Sequence, residues 1–167
     1  MILERSLSEG CFKTFIFSTY FFQQFQTLGI DKTISYFEKK KLELEKYEII
    51  LIPFNIGYHW SLIQINLQNL SILYYDSLKS VSKCIIEPIL NLFKNIHKKN
   101  DQTDDINWTI STVSCPKQEN TNDCGVFVLR YMENISQNTQ FNFSQEDMEY
   151  LRVVIGIELV KGELLRN

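Results

Sequence analysis

The order of apolar patterns along the chain predicts one domain, spanning 1–167, that mixes β-strands with α-helices. Three observations carry that reading. An unbroken apolar run, Ile49-Ile50-Leu51-Ile52, suits a buried strand. Two runs behind it have the look of a β-hairpin. Three later stretches place apolar residues at helical spacing. With 167 residues, 44% of them hydrophobic, 22% charged and only three proline, the chain is long enough to bury a sizeable core and too apolar for disorder.

Taken in order, Phe15-Ile16-Phe17 predicts a short strand. Ser18 then caps a helix to Leu28, with Gly29 in the C′ position. Asp31 opens a second short helix through Phe37, and Lys39-Lys40-Lys41 reads as a solvated tail. The strand from Glu48 is stopped by Pro53. After Asn55-Ile56-Gly57, strands Tyr58–Ile65 and Leu70–Asp76 form the hairpin, with Leu67-Gln68 as its two-residue turn. Ile85, Ile89, Leu92, Phe93 and Ile96 share one helical face, with Pro88 expected in the first turn. Asn100 to Asp105 is a polar loop, and Trp108–Val113 alternates like a strand. A helix follows from Cys124 to Ile135. A last one begins after Ser144, whose spacing to Asp147 resembles a capping box; Met148, Leu151, Ile155 and Leu159 supply its buried stripe.

Composition narrows the function. A net charge of −3 provides no footprint for nucleic acid or an anionic membrane. The aromatic stretch from Phe12 to Phe25 is interrupted by Lys13, Thr14, Ser18, Thr19, Gln23 and Gln24, too short and polar for a bilayer span. Glu4 and Glu9 precede it and no small-residue cleavage site follows, which argues against a signal peptide. An intracellular chain with reduced thiols is expected. Cys11, Cys84, Cys115 and Cys124 form no C-x-x-C pair, so neither a disulfide framework nor a metal or other cofactor is expected. Cys11, Cys84 and Cys115 read as small buried or half-buried residues.

Cys124 is different. The loop Pro116-Lys117-Gln118-Glu119-Asn120-Thr121-Asn122-Asp123 delivers it to the first turn of a helix, with Asn122 or Asp123 as N-cap. Unpaired N–H groups and the helix dipole stabilise a thiolate there. Gly125, with no side chain, leaves room for a substrate backbone. Of the two histidines, His97 reads as an ordinary surface residue at a helix end. His59 stands at the mouth of a strand. A two-residue turn puts it opposite Asp76, so that His59, Ser61, Ile63 and Ile65 share a face with Asp76, Tyr74, Ile72 and Leu70. A carboxylate there fixes the tautomer of the ring and favours imidazolium; the same pair also suits a purely structural contact. Gln118, six residues before Cys124, is either an oxyanion donor or a solvated loop glutamine.

These residues together resemble the ubiquitin-like-protein-specific cysteine proteases, the SUMO (sentrin) protease family. The matches are Leu51-Ile52-Pro53, His59-Trp60-Ser61-Leu62, Tyr74-Tyr75-Asp76-Ser77-Leu78 and Pro116 to Phe127. Phe17 to Phe22 and Phe143 to Leu165 extend the likeness to nearly the whole chain. The resemblance implies an α+β fold with a papain-like active-site arrangement, a central mixed sheet flanked by helices. It implies Cys124 as nucleophile, His59 as general base then acid, Asp76 as orienter and Gln118 as oxyanion donor. Trp60 would cover a Gly-Gly tail; otherwise it is a core aromatic. The implied activity is cleavage after the C-terminal Gly-Gly of a modifier, SUMO above all, by a monomer acting on the modifier and its conjugates, in the nucleus or at its envelope.

The family's upstream Trp-containing helix segment is expected to be missing, because Met1 falls near the end of that helix. Thr121 stands where glycine is common, and Tyr36 where an aromatic, often Trp, is usual. Two alternatives stay open: a catalytically impaired modifier-binding module, and a protease for a different ubiquitin-like protein or for a viral or effector polyprotein.

Overall fold

The computed structural model describes residues 10–78, 83–101 and 107–165. Five strands form one sheet in the order β1 (Thr14–Ile16), β2 (Ile49–Ile56), β3 (His59–Asn66), β4 (Ser71–Tyr75) and β5 (Thr109–Thr112). The outer pairs are parallel and the two inner pairings antiparallel, so the sheet is mixed. The helices are α1 (Phe21–Lys39), α2 (Lys83–Asp101), α3 (Cys124–Ser136) and α4 (Met148–Lys161). This is the α+β architecture expected.

The run from Ile49 to Ile52 is continuous because both faces of β2 are covered. Ile50, Ile52 and Phe54 join Phe21, Phe22 and Phe25 of α1 and Ile89, Leu92 and Phe93 of α2 on one side. Ile49 and Leu51 join Phe127, Tyr131 and Met132 of α3 and Met148 and Leu151 of α4 on the other. Every one of these side chains is buried. The segment that carries Cys124 is thus anchored on one face of the sheet, where β3 opens with His59 and Asp76 follows the end of β4.

Several boundaries differ from expectation, each for a local reason. Pro53 does not stop β2, which continues to Ile56 and pairs Pro53 with Leu62. Strand β1 pairs only as far as Leu51, so Pro53 has a ladder neighbour on one side and its missing N–H is tolerated. The two helices expected around Gly29 run on as one span with a kink, where Gly29 adopts φ 75°. Phe21 opens that span, and the Ser18 hydroxyl accepts from the Tyr20 amide just before it. Helix α2 begins at Lys83, so Pro88 lies inside it rather than in its first turn; burial of Ile89, Leu92 and Phe93 outweighs the lost bond. That helix reaches Asp101, and the rest of the loop expected over Asn100–Asp105 lies outside the described residues, as does the side chain of Cys84.

The capping box of Ser144 and Asp147 is present and leads through a short 3₁₀ turn into α4. Leu159, expected in the buried stripe of that helix, is 68% exposed. His97 is half-buried with its ring edge-on to Trp108, 6.4 Å between centroids, rather than a plain surface residue. Cys11 is half-buried and Cys115 buried, both as free thiols.

The hairpin that carries His59 and Asp76 differs in register. Leu62 faces Tyr75 and Asn66 faces Ser71, a shift of two residues from the pairing a Leu67-Gln68 turn would impose. His59 is therefore not directly opposite Asp76. The cause is Asn66, whose side-chain oxygen accepts from Gln68 N (2.9 Å) and Asn69 N (3.0 Å). That Asx turn opens a four-residue loop and puts Leu70 at φ 52°, outside the strand. A shift of two preserves side-chain parity, so the face shared by His59, Ser61, Tyr74 and Asp76 survives.

Candidate active site

At the open end of this hairpin, His59 Nε2 lies 2.9 Å from Asp76 Oδ1, a diagonal contact. The carboxylate is 1% exposed and ringed by donors. Leu78 N donates to Oδ1 at 2.7 Å, while Tyr74 Oη donates to Oδ2 at 2.8 Å with Ser61 Oγ at 3.5 Å. Burial pushes the Tyr74 phenol well above its ordinary range, and its bond to Asp76 acts in the same direction. Tyr74 is therefore a proton donor at any working pH.

A carboxylate that accepts at this contact puts a ring proton on Nε2, and a neutral ring then has its lone pair on Nδ1. That nitrogen is buried and has no hydrogen-bond partner. Such an atom is costly unless a function uses it.

Cys124 opens α3 and is buried, 5% exposed. Its Sγ lies 4.0 Å from the carbonyl oxygen of Tyr58, the residue before His59. The helix start and the start of β3 thus meet. Asp123 occupies the N-cap position but makes no capping bond with its side chain. Its carboxylate turns instead to Arg152 of α4, which donates from Nε at 2.9 Å and from an Nη at 2.5 Å. Asn120 Nδ2 (2.6 Å) and Gln145 Nε2 (2.8 Å) complete the set. Burial alone would raise the carboxyl of Asp123, but the bonds from Asn120, Gln145 and Arg152 prevail and hold it below the usual carboxylate range. Arg152 also donates to the Asn122 carbonyl at 2.7 Å, pinning the loop ahead of the cysteine.

Gln118 is not a solvated loop residue. It is 7% exposed, its amide nitrogen donates to Asn120 O at 2.6 Å, and its oxygen accepts from Ser77 Oγ. The loop is further held to the Asp76 turn by Lys117 Nζ, 2.5 Å from Asp76 O, and by Gln118 N, 3.1 Å from Ser77 O. Trp60 is half-buried and lines, with Gly125, Pro53, Leu129, Ile155 and Arg152, a cleft of about 750 Å³. A Cβ placed on Gly125 would lie 3.9 Å from Trp60 Cδ1. No group of side chains suited to a metal ion occurs among the described residues, and no described helix is long and apolar enough to cross a membrane.

The sequence alone assigns no role to Tyr74, Ser61, Ser77, Asn120 or Arg152. Tyr74 and Ser61 left a signal, as the polar residues on an otherwise apolar hairpin face. Arg152 left none, since only the packing of α4 on α3 brings it to Asp123.

The molecule is an α+β domain in which a cysteine, a histidine and a carboxylate gather at one end of a mixed sheet. A family model described as the Ulp1 protease family, C-terminal catalytic domain, matches residues 13–159, and the chain belongs to that family. Sentrin-specific protease 5 of Homo sapiens is 36% identical over 155 residues, covering 92% of this chain and 20% of its own length. A sentrin-specific protease of Caenorhabditis elegans is 27% identical over 169 residues, covering 99% of this chain and 24% of its own. The chain therefore spans about a fifth of the length of the first of these relatives. Among solved structures, the C-terminal Ulp1 protease domain in complex with Smt3, the yeast ortholog of SUMO, shares the fold with a TM-score of 0.77. That likeness comes at 23% identity and covers 96% of this chain and 72% of the other.

Proposed function

We propose that this chain is a thiol protease that cleaves after the C-terminal Gly-Gly of a ubiquitin-like modifier of SUMO type, in precursors, in lysine conjugates or in both. Cys124 is the nucleophile, His59 the general base and then acid, Asp76 its orienter and Gln118 the oxyanion donor. The observation that carries this reading is the His59 ring. One nitrogen is committed to Asp76, while the other is buried, unpartnered and carried by the strand start that touches Cys124. Family membership and the names of the sentrin-specific relatives support the modifier class.

In the proposed cycle, Nδ1 takes the thiol proton and Sγ attacks the terminal glycine carbonyl. The oxyanion is met by the Cys124 N–H and the Gln118 amide. Imidazolium then protonates the leaving lysine amine, and water hydrolyses the thioester through the same base. Trp60 and Gly125, which share one cleft, suit a flat tail without β-carbons. Placement of the protein in the nucleus or at its envelope is part of the same proposal.

Activity-based probes with a vinyl-sulfone warhead on SUMO, ubiquitin and other modifier tails test the reading. Labelling at Cys124 by the SUMO probe is expected. Cys124→Ser is expected to hold the conjugate without turnover, a loss of at least about a thousandfold in kcat. Retained cleavage by that variant removes the nucleophile assignment. Modifier binding without any labelling of Cys124 would favour an inactive binding module instead.

A further inference from the structure

We infer that Ser77 and the Asn120 main-chain carbonyl are positioning elements that set which way round the Gln118 amide sits. The inference rests on Gln118 being the oxyanion donor, and it explains why that loop is zipped to the Asp76 turn. A glutamine amide is nearly symmetric in shape, yet a flip exchanges a two-proton donor for an acceptor. Only one orientation can stabilise negative charge.

The Asn120 contact decides between the orientations, and the Ser77 contact holds the one chosen. The Asn120 carbonyl accepts and cannot donate, so the atom 2.6 Å away must be Nε2. The Ser77 hydroxyl donates to Oε1 from the opposite side. A flipped amide would set two oxygens against each other at the Asn120 contact and aim a carbonyl oxygen at the developing oxyanion. Gln118 and Ser77 are 7% and 1% exposed, so water cannot readily replace either contact. Nε2 carries two hydrogens; one is spent on Asn120 and the second remains for substrate. Gln118 N also donates to Ser77 O at 3.1 Å, so the residue is docked on Ser77 by main chain and side chain together. Lys117 Nζ on Asp76 O, at 2.5 Å, extends the same attachment. The turn that orients His59 and the loop that bears the oxyanion donor are thereby joined by three hydrogen bonds.

The test is a double-mutant cycle on Ser77→Ala and Gln118→Ala, with Ser77→Thr as the hydroxyl-keeping control and thermal midpoints to verify folding. Hydrolysis of a SUMO tail bearing a fluorogenic leaving group gives kcat and KM. Iodoacetamide alkylation of Cys124 reports on the thiol–imidazole pair alone. Ser77→Ala is expected to lower kcat about tenfold at near-constant KM and to leave alkylation within about twofold. Ser77→Thr is expected to recover most of the loss, and Ser77→Ala to add less than about twofold on top of Gln118→Ala. A full additional loss in the Gln118→Ala background overturns the inference while leaving the protease reading intact. So does slowed alkylation, which would place the effect on Asp76 and His59. An unmodified protein that turns over no Gly-Gly tail overturns both.

Discussion

Two buried carboxylates flank the site, and they are held in different ways. Asp76 faces a group that can gain or lose a proton, with neutral donors behind it: the Tyr74 phenol, the Ser61 hydroxyl and the Leu78 amide. Asp123 faces Arg152, which keeps its charge at all pH values, with amide groups from Asn120 and Gln145 at its other oxygen. The first environment leaves a carboxylate free to respond when the imidazole changes charge. The second pairs a carboxylate with a fixed positive charge, one residue before Cys124. On the proposed function one aspartate serves chemistry and the other serves shape, and the identity of the cation across from each separates them.

The largest expected effect breaks the first half of that contrast. Asp76→Asn keeps the volume but puts a donor group or a neutral acceptor against His59, and kcat/KM on a Gly-Gly-tailed substrate should drop by about 10³ to 10⁴. The fold should persist by circular dichroism; a variant within tenfold of the unmodified chain would remove Asp76 from the mechanism. Arg152→Met attacks the second half. It leaves Asp123 buried beside neutral donors only, and since Arg152 is itself 48% exposed, water will recover part of the loss. A destabilisation of about 1–2 kcal/mol in urea unfolding is expected, with Arg152→Lys between the two.

Acid titration sharpens the same point. The Asp123 carboxyl is held below its ordinary range, so its contribution to stability is present in full above the unfolded value near 3.8 and is lost as pH falls through the lower folded one. In Asp123→Asn, the slope of stability against pH below about 4 should flatten; an unchanged slope would deny the linkage. Tyr74→Phe is the mildest test. It takes one neutral donor from Asp76, and about 0.5–1.5 kcal/mol in transition-state stabilisation, roughly two- to tenfold in kcat/KM, is expected to go with it.

Much of this was legible in the chain. The period of two in each hairpin strand places His59, Ser61, Tyr74 and Asp76 on one face, and the observed register keeps them there although the loop has four residues rather than two. Its length depends on the Asn66 side chain bonding two amides, which residue type alone does not announce. Cys124 at a helix start was readable from loop chemistry. The use of Asp123 was not, because its N-cap position obeys a local rule while Arg152, supplied by a distant helix, overrides it. Gln118 stood undecided between two roles, since its burial is created by Ser77 and Asn120 coming together. Leu159 failed as a core residue for the converse reason: helical spacing defines a stripe, but only packing decides how far along the helix that stripe stays covered.

One glycine carries a consequence beyond the fold. At position 125 a methyl group would meet the Trp60 ring at ordinary contact distance and nothing nearer. Alanine would thus cost the empty molecule little, and on the proposed function any loss of cleavage in Gly125→Ala would report the thickness of a tail held between the indole and the helix.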